Sequence, residues 1–317
     1  MFLERHSRYI RRYEIVLGAR KSTAPIIPMI AEEKDFSVFD ALSEKLANDK
    51  ASVKQANGDT IELIKIKPLA NEDAIALLFH RTSPDAADPT YRKKRAGRVS
   101  VRTPDKDEDE EQSVSCHMVI KTSPKNDHTY LATLEEIPGL SMALVQEVIA
   151  AILRDYTYKF SRKGADEATY CTIKVNGIKS ETVADALQTG RASFITLTRP
   201  APADYTDGDG LFVPQNQIMK LRIQGEIQEQ TWRDKIGGLL TKAKRDGWKR
   251  FNVEISLPEK RTRQVSLDIE RIQNASEILF VRSDLVDLPA EIGVCSVDFH
   301  DGLIEKSLNV LRLAEQP

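Results

Sequence analysis

Short runs in which apolar and polar residues alternate dominate the chain, and a helical spacing takes over in only a few places. Ile61, Leu63 and Ile66 in TIELIKIK predict a strand, and Asn57-Gly58-Asp59 before it reads as a turn. AIALLFHR (74–81) is nearly all apolar and predicts a second, more deeply buried strand. In SVSCHMVIK, Val114, Cys116, Met118 and Ile120 fall on one face of a third. Val38, Leu42 and Leu46 recur every four residues and predict an amphipathic helix over 35–48. Pro138-Gly139 opens the longest apolar stripe, with Leu140, Leu144, Val148, Ile149, Ile152 and Leu153, which predicts one helix from Leu140 to Phe160. ETVADALQTGR (181–191) reads as a further helix, and SFITLTR (193–199) as a strand.

The run Pro200–Gly210 (PAPADYTDGDG) is the most linker-like in the chain and places a domain boundary there. Beyond it, IMKLRIQGEI, RFNVEISLP, VSLDIER and EILFVRS predict strands, and TWRDKIGGLLTKAKR (231–245) a helix. The expected class is α+β. It has an N-terminal domain over 1–200, with a charged insertion at about 84–112, and a C-terminal domain over 210–317. Each is a mixed or antiparallel sheet with helices packed on one face. No repeat of 20–50 residues is present.

At 317 residues and 41 % hydrophobic, the chain can fill two cores, which excludes wholesale disorder. Its longest apolar runs are about a third of the roughly 18 residues a membrane span needs, and the N-terminus lacks the apolar stretch of an export signal. The three cysteines, Cys116, Cys171 and Cys295, are too scattered for a disulfide framework or a zinc knuckle, so a reducing, cytoplasmic setting is expected.

Candidate chemistry is sparse. GARKST (18–23) lacks the first glycine of a phosphate-binding loop. Cys116 and His117 are neighbours on a strand and point to opposite faces, a buried thiol and an exposed imidazole, so they form no nucleophile–base pair. Asp207 and Asp209 lack the remaining oxygen ligands of a calcium loop. No catalytic residue, metal or cofactor is assigned. The enzymatic alternative is a metal-dependent nuclease or hydrolase with His80, Asp85 and Asp88 as ligands.

Charge changes the picture. The formal net charge is -2, but it is distributed in blocks. Residues 91–102 hold six Lys/Arg and no acid, and residues 105–111 hold six acids and one lysine. The N-terminus carries Arg5, Arg8, Arg11, Arg12, Arg20 and Lys21. Between Met219 and Arg263, twelve Lys/Arg stand against six acids, a local +6. Basic side chains gain affinity for a polyanion by releasing its condensed counterions. The expected nucleic-acid contacts are therefore Lys242, Lys244, Arg245, Lys249, Arg250, Lys260, Arg261 and Arg263, with Arg95 and Arg98 from the insertion. Trp248, set among these charges, is a candidate for base stacking or for capping the core. A third reading is a protein-interaction module whose basic region meets an acidic partner or the 105–111 run.

The C-terminal order of a strand like MKLRIQGEI, a helix, a strand like FNVEISLP and a basic turn like EKRTR resembles the RexA-like DNA-binding proteins of phage exclusion. Related bacterial phage-defence DNA-binding proteins, such as the B component of the Kiwa system, are similar. The resemblance implies a cytoplasmic, non-enzymatic homodimer that binds duplex DNA without strong sequence preference, beside a membrane-protein partner. The apolar surface of the 140–160 helix, more than one sheet need cover, also points to a dimer.

Overall fold

The basic N-terminal stretch forms a strand, because Tyr13, Ile15 and Leu17 alternate inward while Arg12, Glu14 and Val16 stay more open. The computed structural model describes residues 3–31, 36–92, 101–182, 192–201, 215–224, 229–256, 262–268, 279–281 and 283–315. In chain order these form β1 (Ser7–Ala19), α1 (Val38–Ala47), β2 (Ser52–Lys54), β3 (Thr60–Leu69), β4 (Ala74–Ser83), β5 (Tyr91–Arg92) and β6 (Val101–Arg102). Then come β7 (Gln112–Lys121), β8 (Thr129–Glu135), α2 (Met142–Asp155), β9 (Thr157–Arg162), β10 (Ala165–Gly177), β11 (Lys179–Thr182), β12 (Ala192–Pro200) and β13 (Asn216–Arg222). The remainder is α3 (Glu229–Arg245), β14 (Arg250–Ser256), β15 (Thr262–Asp268), β16 (Leu279–Val281), β17 (Ser283–Asp287) and α4 (Asp301–Glu315). The class is α+β, and the pairings between these strands are antiparallel.

The chain divides into two compact units, Met1–Ile178 with Ser283–Pro317, and Lys179–Arg282. Composition places the boundary at Pro200–Gly210 instead, of which 202–210 lie outside the described residues. Two things differ: β11 and β12 (Lys179–Pro200) belong to the second unit, where β12 pairs with β13 and β14, and the C-terminal 35 residues return to the first through β17 and α4. β1 is the strand that receives them. Its Ile10–Val16 pair with β8, while on its other edge β17 takes Ser7–Arg11 and β10 takes Tyr13–Ala19, end to end.

The sheet of the first unit runs β2-β3-β4-β7-β8-β1-β10-β9. Helices cover it on both faces, where one face was expected. Ile75, Leu77 and Phe79 of β4, with Cys116, Met118 and Ile120 of β7, pack with α1 and α2. Ala74, Ala76 and Val119, one residue out of phase, pack with Ile304, Leu308 and Leu311 of α4. A strand buried on both faces has no polar side to alternate, which is why AIALLFHR reads as an apolar run. The α2 stripe of Val145, Val148, Ile149, Ile152 and Leu153 is used entirely in this core. α2 also stops at Asp155, because Tyr158 and Phe160 then alternate inward along β9 and pair with β10.

Asp59, in the turn before β3, is buried and accepts from Arg81 Nε at 2.8 Å and Asn57 Nδ2 at 2.9 Å. Arg81 also donates to the carbonyl of Gly139, a residue at φ +84 whose absent side chain leaves room for the guanidinium. The Ser83 hydroxyl bond, with Arg81 and Asn57 behind it, outweighs burial and holds the Asp59 carboxyl below the ordinary carboxylate range. A depressed carboxyl stabilises the fold above its unfolded value and loses that contribution as pH falls through its folded one. The Asp59→Asn variant should therefore unfold at lower urea than wild type at neutral pH. The difference should shrink on acidification below the ordinary Asp range; a gap constant from neutral to acid pH would contradict it.

A buried ionic cluster fastens the C-terminal return. Glu135 Oε1 accepts from Arg8 Nε at 2.7 Å, and its Oε2 accepts from His117 Nδ1 at 2.7 Å and from the His117 backbone N–H at 3.1 Å. His117 Nε2 in turn accepts the His300 N–H at 3.2 Å, which places the ring proton on Nδ1. The imidazole expected to be exposed is thus buried, since the strap Ile292–His300 and Phe299 cover this face of β7. Arg8 Nη2 donates to the carbonyls of Ile292 at 3.1 Å and Gly293 at 2.8 Å. Of the other N-terminal cations, Arg11 pairs with Glu136, Arg12 with Asp284 and Lys21 with Glu167. That segment spends these charges on intramolecular pairs.

The second unit holds the sheet β13-β12-β14-β15 and the pair β11-β16. Ile195 stands opposite Val253 and Leu197 opposite Phe251; with Ile255 they are buried. β13 is an edge strand with Ile218 and Met219 exposed. The helix read over 181–191 begins in β11 and otherwise lies outside the described residues.

Candidate nucleic-acid interface

The sequence KAKRDGWKR ends α3 with a Schellman closure. Trp248 N–H donates to Ala243 O at 2.9 Å, Gly247 N–H donates to Lys244 O at 3.2 Å, and Gly247 sits at φ +78, where glycine carries no Cβ penalty. The motif folds Trp248 back toward the turn that holds buried Ala243. Trp248 is only 5 % exposed, and the Arg199 guanidinium lies 4.7 Å from its ring centre. It caps the core and is not open to a base, which settles the choice left by the sequence.

Around this closure the cations gather. Lys242, Lys244 and Arg245 are exposed on the last turn of α3, and Lys249 and Arg250 are exposed just after it. Lysines and arginines there also oppose the negative end of the helix dipole. The Lys249 N–H donates to Thr198 O at 3.0 Å and Arg250 stands opposite Thr198, so β14 starts where β12 ends. Arg199 joins from β12, donating to Asp246 O at 2.6 Å and Gln217 Oε1 at 2.8 Å. Asp246 is an acid within the cluster, 3.4 Å from Arg245 Nε.

Arg263 belongs elsewhere. It stands opposite Ile255, five residues along β14 from Arg250, roughly 17 Å at strand rise. The two basic turns of the C-terminal region are thus anchored at opposite ends of one hairpin ladder. Lys260, Arg261, Arg95 and Arg98 lie outside the described residues. Arg199 is the member that reading by charge blocks missed: it stands alone in SFITLTRP, and only strand pairing carries it to the helix end.

The alternative metal set does not assemble. No group of three or more His, Cys, Asp or Glu side chains with metal-binding geometry occurs among the described residues. Asp88 pairs with Lys106 at 3.9 Å, and His80 meets the strap instead, with Nε2 2.8 Å from Ser296 O and Cys295 Sγ beside the ring. No helix among the described residues is long and apolar enough to cross a membrane. No protein-family model, no curated protein and no solved structure matches the chain.

Proposed function

We propose that the protein binds duplex DNA through phosphate contacts made by its second unit, without reading base sequence. One observation carries this reading: Arg199, Lys242, Lys244, Arg245, Lys249 and Arg250 converge on one end of a four-stranded sheet with Asp246 among them. Such a set matches the charge of a phosphate backbone, and Trp248, the aromatic set among it, is buried beneath Arg199 rather than open to a base. The resemblance to phage-exclusion proteins adds a setting, in which duplex binding by a homodimer serves antiviral defence.

If all six cations meet phosphates, the logarithm of the binding constant should fall against the logarithm of salt concentration with a slope of about -5. Filter binding of the full-length protein to two duplexes of unrelated sequence, at about 50 and 200 mM salt, measures it. Comparable affinity for both duplexes and a steep fall with salt are expected. Failure to bind at low salt, or binding indifferent to salt, would refute the reading.

A further inference from the structure

Of the three cysteines, Cys295 alone is exposed; Cys116 and Cys171 are buried. It sits on the strap Ile292–His300, whose backbone is fastened on both sides of it. Val294 O accepts the Ser115 N–H at 3.1 Å, the Ser296 N–H donates to Ser115 Oγ at 2.9 Å, and Ser296 O lies 2.8 Å from His80 Nε2. His80 of β4 and Ser115 of β7 are direct cross-strand partners, so the strap crosses one pair of the sheet and is held by both members.

This anchoring sets the thiol in a polar corner. Cys295 Sγ is 3.2 Å from Ser113 Oγ, 3.7 Å from His80 Nε2 and 3.9 Å from His80 Nδ1. A carbonyl oxygen can only accept, so Nε2 carries the proton that it gives to Ser296 O. The ring's lone pair is then on Nδ1, the nitrogen able to take the thiol proton. After transfer the imidazolium keeps one N–H on Ser296 O and turns the other to sulfur, and Ser113 O–H donates to the thiolate. Nucleophile, base and orienting acceptor are the three parts of an activated thiol.

The electrostatics agree in direction. Burial raises the Cys295 thiol, but bonds from His80, Ser113 and Ser115 outweigh it and hold the thiol below its ordinary value. Burial likewise lowers His80, but Cys295 and the Ser296 carbonyl outweigh it and raise the imidazole. Each shift favours the thiolate–imidazolium pair. Cys116, one residue from Ser115, instead faces the α1–α2 core, where burial pushes its thiol far up.

We infer that Cys295, with His80 as its base and Ser296 O as the orienting acceptor, is a nucleophilic thiol site for hydroperoxides. The thiolate attacks one peroxide oxygen; the S–O bond forms as the O–O bond breaks. Sulfur is oxidised to the sulfenic acid and the peroxide reduced. The hydroxide that leaves from hydrogen peroxide, or the alkoxide from an organic hydroperoxide, takes the Nδ1 proton of the imidazolium and departs as water or an alcohol. A small polar oxidant needs no cavity, which suits a thiol on an open surface. Cys116 lies on the opposite face of the sheet and Cys171 is buried in the core on β10, so neither closes a disulfide with Cys295 and the sulfenic acid persists until a small external thiol condenses with it.

The test treats the full-length protein with hydrogen peroxide in the presence of dimedone and maps the adduct by peptide mass. The adduct is expected at Cys295, forming at neutral pH several-fold faster than in His80→Gln, because the variant lacks the base that takes the thiol proton. Iodoacetamide alkylation of Cys295 against pH should show its midpoint below the ordinary thiol value of about 8.5 in wild type and at a higher pH in His80→Gln. Ser113→Ala, which leaves the β4–strap bond intact, should slow both reactions several-fold and serves where His80→Gln fails to fold. Dimedone labelling absent from Cys295, or the same rate and alkylation midpoint in wild type and in the folded variant, would overturn the inference.

Discussion

Glu135→Ala should lower the stability of the first unit by about 3–5 kcal/mol, the cost of leaving a buried cation unpaired. Arg8 and Glu135 have side chains only 1 % and 2 % exposed, so water cannot replace the lost carboxylate. Truncation strands the Arg8 Nε–H together with the His117 Nδ1–H and backbone N–H, three donors that Glu135 satisfies. The loss compares with a total stability of about 5–15 kcal/mol for a typical domain, so the variant sits near the edge of folding. Urea unfolding followed by far-ultraviolet circular dichroism measures it. Trp232 and Trp248, the two tryptophans, both belong to the second unit, so their fluorescence follows that unit in the same samples. A dichroism midpoint within error of wild type would show that the cluster does not hold the first unit together. Arg8→Met combined with Glu135→Gln removes both charges at similar volume and should recover part of the loss, because the penalty lies in the unpaired charge rather than in the absent pair.

The second large effect concerns binding. Reversing Lys244, Arg245, Lys249 and Arg250 to glutamate should weaken duplex binding by at least about a hundredfold at low salt and make the salt slope shallower by about 3 to 4. All four side chains are exposed, so the change falls on the surface field rather than on the core. The loss should be equal for unrelated duplexes, since phosphate contacts carry no sequence information. An unchanged slope would remove the α3 terminus from the interface. A loss confined to one duplex would show base readout in place of phosphate contact.

The candidate interface was half legible in the sequence. The local excess of charge and the glycine that closes α3 both lie within one short segment, KAKRDGWKR, and local chemistry is enough to read them. The fate of the charges was not legible. Arg5, Arg8, Arg11 and Arg12 look like the same kind of basic segment, yet they face Glu291, Glu135, Glu136 and Asp284, acids more than 120 residues away in the chain. The Arg8–Glu135 pair also decides the fate of His117, which alternation alone assigns to solvent.

By itself, the sequence determined the local elements. Alternation at Cys116, Met118 and Ile120, the four-residue spacing of Val38, Leu42 and Leu46, and the glycine at 247 each satisfy a backbone requirement within a few residues. Tertiary structure alone decided three things. It returned 283–315 to β1, it buried β4 on both faces, and it brought Cys295 to His80 across 215 residues. The physical reason is that each of these depends on which distant surface satisfies a given hydrogen bond or apolar face. Arg8 has donors for the strap carbonyls and Ser115 has an N–H for Val294 O, but no local period encodes which segment will arrive to accept them.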